Sequence, residues 1–493
     1  MSGPPEAAAS PGLRLGSAQG RYVLAAAVLG SGIAFLDSTV VNVALPTIGN
    51  DLHADLHALQ WVLDAYLITL TAFLLLGGSL GDTYGRKRIF VYGLVGFTVA
   101  SVLCGIAPNV SALIVARALQ GTAGALLVPG SLALISSSFA VEDRGAAVGA
   151  WSGLTGVTSA IGPFVGGWLI DAVSWRLIFL INVPLAIVAV LIATRHVAET
   201  RAPVARHIDV TGAVLISLAL AGISFALIEQ GSSSSALVAT TAVVGVVSLV
   251  LFFVVEVRKP EPMLPLGLFR NAQFSGANAT TLAVYGALGG AFFLIVLQLQ
   301  RVLGYSAVEA GASLVPITVL MLLLSAKAGR LSQRIGPRVP MTIGPLIVAA
   351  GLVMFGRVGA GDHYFTTVLP AAIVFGLGLS TTVAPLTAAV LGAVDDARVG
   401  IASGVNNAVA RLAGLLAVAV LPTLVGLDKA RGDSAFSHAF TKAMNVSAVL
   451  AVVGGIVAFM TIRTGRVIEP TTAADISQPC HDPSRVVSAA TSR

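Results

Sequence analysis

Three ionisable side chains stand inside long apolar runs of this 493-residue chain: Asp37 in GIAFLDSTVVNVALP, Asp64 in WVLDAYLIT and Arg117 in ARALQGTAGA. A carboxylic acid so placed can take up and release a proton, because burial favours its neutral form and a nearby cation favours its carboxylate. An arginine at the same depth supplies that cation. Either charge at bilayer depth costs about 2.5–3.5 kcal/mol on insertion scales and therefore faces a polar interior or a partner. Two readings of Asp37 and Arg117 follow. Both are expected to face a central cavity, and there either proton occupancy switches with substrate or conformation or the two form a fixed pair that only holds helices together. Asp64 is either a third member of such a proton site or a hydrated group near a helix end.

The elements that must position these groups are read from composition. Hydrophobic residues make up 56% of the chain and charged residues 11%, against roughly 25% charged in soluble domains; the mean hydropathy is +0.90. Apolar runs of about 20 residues, long enough to cross a bilayer as helices, recur fourteen times from residues 22–45 to residues 442–462. The expected fold is all-α and integral to the membrane. Helical rise puts Asp37 roughly 22 Å above the start of its run, and Asp64 and Arg117 each roughly 10 Å below the far end of theirs, so all three share a level.

Lys and Arg concentrate in alternate loops, including Arg86, Lys87 and Arg88, then Arg195, Arg201 and Arg206, then Arg258, Lys259 and Arg270, and later Lys327, Arg330, Arg334 and Arg338. Positive charge is retained on the cytoplasmic side, which orients both termini inward in a cell inner (cytoplasmic) membrane. The net charge of +6 is explained by this topology and requires no nucleic-acid partner. The first apolar run is too long for a signal peptide and lacks its cleavage site, so no segment is expected to be removed. Cys104 and Cys480 fall far apart on this topology, and no disulfide is expected.

An internal repeat organises the runs. GSLGDTYGRKR (78–88) and GRLSQRIGPRV (329–339) align Gly78 with Gly329, Leu80 with Leu331, Gly85 with Gly336 and Lys87 with Arg338, and GAWSG (149–153) aligns with GIASG (400–404) at the same offset. The second run thus matches the tenth and the fifth matches the thirteenth. This divides the chain into a tail (1–21), a six-helix half (22–194), a linker with two extra helices (195–270), a second, pseudosymmetric six-helix half (271–463) and a tail (464–493). Repeats of this kind are a transporter plan, with the substrate site between the halves.

GSLGDTYGRKR resembles the loop signature of the major facilitator superfamily, and LDSTVVNVALP resembles the first-helix signature of its fourteen-spanner drug:proton antiporter family. ARALQGTAGA is similar to the fourth-helix arginine signature, TSAIGPFVGG (158–167) to the fifth-helix antiporter signature, and WRLIFLINVP (175–184) also fits. The resemblance implies a conformational latch at Gly78, Asp82, Gly85, Arg86 and Lys87, with Asp82 accepting from a basic group on a neighbouring helix. It also implies an antiporter helix that seals the resting cavity through Gly162, Pro163, Gly166 and Gly167. The glycines of that helix, Gly149, Gly153 and Gly156 included, permit close helix contact, and Pro163 bends it.

Other candidate cavity residues are Asn42, Gln120, Tyr285, Phe292, Gln298, Asn406, Asn407 and Arg411. The thirteenth run carries GVNNAVARLAG where some relatives that export organic cations place acids, which disfavours a polycationic substrate; Arg411 either neutralises a substrate acid or pairs with a helix carbonyl. His53, His57, His196, His207, His363, His438 and His481 are assigned to loops or tails, so no histidine relay is expected. There is no Walker-type loop and no intramembrane catalytic constellation. The expectation is a monomeric, proton-coupled antiporter exporting amphipathic small molecules, a multidrug or antibiotic-resistance exporter, without cofactor, metal or nucleotide. A dedicated exporter of one metabolite or antibiotic is the nearest alternative, and a non-transporting membrane sensor a more distant one.

Overall fold

The structure is a computed structural model and describes residues 12–201, 208–260, 262–395 and 398–463. Cys480, Arg206, His207, His481 and the carboxy-terminal tail lie outside the described residues.

Among the described residues fourteen helices are long and apolar enough to cross a membrane: α1 Ala18–Asp51, α2 Leu56–Tyr84, α3 Arg86–Gly105, α4 Val110–Ser138, α5 Glu142–Ala172, α6 Leu177–His196, α7 Val210–Ile228, α8 Ser235–Arg258, α9 Ala272–Arg301, α10 Ala307–Ile335, α11 Arg338–Phe355, α12 Tyr364–Leu391, α13 Val399–Leu424 and α14 Asp433–Thr461. Their apolar runs carry the helical hydrogen-bonding that a bilayer demands of any spanning segment. Most helices overrun the apolar stretch because polar residues cap them: Asp55 accepts from Ala58 N, Asn109 from Ala112 N, and Ser306 forms a capping box with Glu309. A long overrun is that of α14, which begins at Asp433 rather than at 442. It brings His438 into a helix, and His57 and His196 likewise belong to terminal turns of α2 and α6 rather than to loops.

The contacts repeat between α1–α6 and α9–α14. α1 packs on α4, α5 and α6, as α9 packs on α12, α13 and α14; α2 packs on α4 as α10 packs on α12; α3 packs on α4 and α6 as α11 packs on α12 and α14. The aligned glycines agree in backbone geometry. Gly85 ends α2 with φ +116° and Gly336 ends α10 with φ +85°, values that L side chains rarely adopt. The inserted α7 and α8 pack on each other, so closely that a Cβ at Gly222 would lie 2.7 Å from the Thr241 carbonyl oxygen. α7 also packs on α2 and α13, one from each half.

The halves approach most closely through α5 and α10, near the face away from the amino terminus. A Cβ at Gly167 would lie 2.5 Å from Val308 Cα, and one at Gly311 only 2.2 Å from the Pro163 carbonyl oxygen. Asp171 accepts from the backbone N–H groups of Ala307 and Val308 at 3.2 and 2.8 Å, and Gln300 donates to Val43 O at 2.8 Å. Gly162 and Gly166 instead let α5 seat on Thr39 and Val40 of α1. The expectation that the whole glycine row is packed does not hold in this conformation: Gly149, Gly153 and Gly156 meet nothing within 4 Å. These three lie on the amino-terminal part of α5, on a face turned away from Ala147 and Trp151, which pack toward α1.

Candidate functional site

Asp37 and Arg117, from α1 and α4, meet in the interior of the amino-terminal half, Arg117 Nη1 donating to Asp37 Oδ2 at 2.5 Å. Both are buried, at 0% and 1% exposure. Gln120 follows Arg117 by three residues and so lies on the same helix face; it accepts from Arg117 at 2.6 Å and donates to Asp37 Oδ1 at 2.9 Å. Arg117 Nε donates to Val62 O of α2 at 3.1 Å, and the guanidinium lies over the Tyr66 ring at 4.2 Å. Behind the acid, Ser101 of α3 accepts from Gln120 at 2.9 Å and from Asn182 at 3.3 Å, and Asn182 also donates to Asp37 at 3.3 Å. Asn182 stands where α6 is interrupted at Ile181. Five of the six helices of this half thus converge on one carboxylate.

Ser101 and Asn182 are absent from the sequence expectations. Asn182 had a signal, a polar residue inside the apolar WRLIFLINVP; Ser101 had none, since a lone membrane serine commonly bonds within its own helix. The rest of that motif ties the far ends together. Trp175 and Arg176 both donate to Asp51 at 2.8 Å, with Arg176 stacked on Trp175 at 4.3 Å.

A cavity of about 540 Å³ lies between the halves. Arg117, Asn42, Tyr285, Phe292, Asn406, Asn407 and Arg411 contribute to its wall. Asp37 does not, contrary to expectation: Arg117, Gln120 and Asn182 surround it and turn it into the amino-terminal half. Gln120 is likewise in the polar cluster rather than in the wall. Gln298 is also elsewhere, buried toward the far face, donating to Val358 O at 2.8 Å and Ser437 Oγ at 2.9 Å. Its long side chain stitches α9 to the end of α11 and to α14. Asn406 donates to Thr281 Oγ1 at 2.7 Å, joining α13 to α9, and Asn407 donates to Ser403 O at 3.0 Å.

Asp64 shares the level of the Asp37 cluster but points elsewhere. It is fully buried, and neither carboxylate oxygen has a hydrogen-bond partner among the described residues. One turn before it Gln60 donates to Val418 O of α13 at 2.6 Å, and one turn after it Ile68 packs with Leu220 of α7 and Leu415 of α13. The acid therefore faces the junction of α2, α7 and α13.

The 78–88 loop is tied within the amino-terminal half. Asp82 accepts from Arg86 at 2.8 and 2.9 Å. Glu199, beyond α6, accepts from the backbone N–H groups of Lys87 and Arg88 at 3.1 Å each, capping α3, and a Cβ at Gly85 would strike its carboxylate at 2.7 Å. Lys87 Nζ donates to Thr194 O at 2.9 Å. Gly78 meets only ordinary contact with Pro129, whereas its neighbour Gly77 is the tight one, a Cβ there lying 2.3 Å from Ala125 O.

The Major Facilitator Superfamily model matches residues 27–418. The chain belongs to the Major Facilitator Superfamily. Within that superfamily it is 34% identical over 408 residues to the tetracenomycin C resistance and export protein of Streptomyces glaucescens, spanning 82% of this chain and 75% of that protein. It is 36% identical over 420 residues to a probable actinorhodin transporter of Streptomyces coelicolor, spanning 82% and 72%. Among solved structures, a bacterial homologue of the human lysosomal transporter Spinster, in an inward-facing and unoccupied conformation, superposes with a TM-score of 0.65 at 17% identity, over 91% of this chain and 98% of that one. That likeness establishes the shared fold of the superfamily.

Proposed function

We propose that this member of the superfamily is a proton-coupled exporter of amphipathic small molecules in the inner (cytoplasmic) membrane, with both termini cytoplasmic, working by alternating access. The observation that carries the reading is a buried Asp37–Arg117 pair directly behind the wall of an inter-half cavity whose α5–α10 side is closed only at the far face. One of the relatives is a resistance and export protein and the other a probable transporter, and the two repeated halves supply the rocking bodies.

In this reading the conformation is inward-facing. Glycine-tight contact between α5 and α10 closes the outer end, and Gly149, Gly153 and Gly156 form the surface on which the inner end closes in the opposite state. Protonation of Asp37 removes the charge that holds Arg117 and changes the cavity wall without moving a carboxylate into it. Asp64, a buried acid without a hydrogen-bond partner among the described residues, is a second candidate proton-carrying group. Its placement against α7 and α13 makes it responsive to rocking of one half on the other. The loop from Gly78 to Lys87 holds α2, α3 and α6 as one body while the halves move.

In inverted membrane vesicles, substrate-induced proton movement is expected for the wild type across a chemically diverse panel and is expected to vanish in Asp37→Asn. Arg117→Lys, which keeps charge but loses the fork that reaches Asp37, Gln120 and Val62 at once, should be impaired as well. Normal coupling in Asp37→Asn sinks the proton-carrier role.

A further inference from the structure

We infer that the cavity is built for an amphipathic anion, with Arg411 as the group that receives its negative charge; this rests on the export reading above. Among the side chains that line the cavity the charged ones are Arg117 and Arg411, and no carboxylate is among them. The charge of Arg117 is already met by Asp37 at 2.5 Å. Arg411 has no ion pair and no hydrogen bond among the described residues, and its Nε is buried without a partner.

Arg411 is half-buried in the cavity wall, within the span rather than at its end. It lies about twelve residues into α13, roughly 18 Å along the helix axis from its start, near the middle of the span. The groups close enough to feel its charge are aromatic: Phe35, whose ring centre is 5.9 Å from the guanidinium carbon, and the phenols of Tyr66 and Tyr285. Phe35 and Tyr66 belong to the opposite half. A ligand bound to Arg411 therefore bridges the two bodies that rock. The pair-forming alternative, a helix carbonyl, is not taken up.

An intramembrane cation without a partner is expensive, and the expense is relieved when a carboxylate, phenolate or sulfonate arrives with the ligand. A guanidinium offers such groups a planar, two-pronged donor. The surrounding wall, including Leu288, Phe292, Met321 and Val418, receives the hydrocarbon part. A volume of about 540 Å³ falls in the range that holds a drug-sized molecule. Exchange of an outgoing anion for an incoming proton carries positive charge inward on both legs, so an inside-negative potential accelerates it, whereas one-for-one exchange of a cation for a proton is electroneutral.

The test uses two xanthene dyes of similar ring system and opposite charge, the anion fluorescein and the cation pyronin Y. Binding is measured on the purified full-length protein, and movement in vesicles with an imposed potential. The wild type is expected to bind and move fluorescein in preference to pyronin Y, faster under the potential that matches inside-negative cells. Arg411→Gln is expected to lose about tenfold or more in fluorescein affinity, the size of one charge-assisted contact. Arg411→Lys should retain most of it, and Arg411→Glu should shift preference toward pyronin Y. Binding of pyronin Y equal to or better than fluorescein, or fluorescein affinity unchanged in Arg411→Gln, overturns the anion assignment and leaves export untouched. Binding of fluorescein through Arg411 with no movement of either dye overturns the export reading and leaves the anion site standing.

Discussion

In the amino-terminal half the intramembrane arginine, Arg117, has an acid at 2.5 Å, an amide at 2.6 Å and a carbonyl at 3.1 Å; in the carboxy-terminal half the intramembrane arginine, Arg411, has none of these among the described residues. Arg117 stands on α4 and Arg411 on α13, whose counterparts in the repeat are α12 and α5, so the two arginines occupy different places in the two halves. In one half the charge is cancelled inside the protein, and in the other it is left for something that enters the cavity. Two halves that share a packing plan can therefore carry a coupling group on one side and a recognition group on the other, because a few side chains decide where neutralisation takes place.

The largest expected effect tests the first side of that comparison. Asp37→Asn strands a buried guanidinium and should lower stability by about 3–5 kcal/mol, read as thermal unfolding in detergent. The double variant Asp37→Asn with Arg117→Gln should recover most of that loss while proton movement stays absent. Full recovery of coupling in the double variant would reduce the pair to a helix clamp.

Closing the outer end comes next. Gly311→Val places side-chain atoms where a Cβ alone already lies 2.2 Å from the Pro163 carbonyl oxygen, an overpacking that costs about 1–3 kcal/mol and falls only on the outer-closed state. Labelling of a cysteine placed in the cavity should increase from the outer face, and transport should fall. Gly153→Ala meets open space in this state and should leave outer-face labelling unchanged.

Smaller effects are expected where nothing is paired. Asp64→Asn and Arg411→Gln each remove a group that has no partner to strand, so stability should hold within about 1 kcal/mol or rise slightly. A steep loss in either variant would reveal a partner and erase the contrast with Arg117.

The smallest effect concerns the loop after α7. Burial pushes the Glu229 carboxyl up, but hydrogen bonds from Ser232, Trp61 and Ser233 outweigh it and hold the group below its ordinary value. A depressed carboxyl adds stability above its unfolded value and loses it as pH falls through the folded value. The difference in melting temperature between wild type and Glu229→Gln, measured from neutral pH downward, should therefore shrink with acidification; a difference that grows would reverse the sign.

Much of this molecule was legible before any coordinate. Each span, the α2/α10 repeat and the shared level of Asp37, Asp64 and Arg117 follow from apolar length and helical rise, quantities that run along one dimension. The orientation of Asp64 was not legible, because position along a helix says nothing of rotation about it, and Gln60 and Ile68 show that this face turns to α13 and α7. Asp37 was placed at the right depth but on the wrong side of Arg117 for the same reason.

The glycines make the final separation. Their residue type announced close packing on α5, yet three of them pack on α1 or α10 and three on nothing, according to where two rigid halves touch in this conformation. Apolar run length determined that this chain carries fourteen candidate membrane spans among its described residues, since in lipid a run of that length satisfies its own backbone only as a helix. Only the tertiary structure decided that Ser101 and Asn182 join Asp37, that Arg117 is neutralised and that Arg411 is not. Those outcomes depend on the rotation and tilt of helices distant in sequence, which are settled by the mutual packing of all their surfaces.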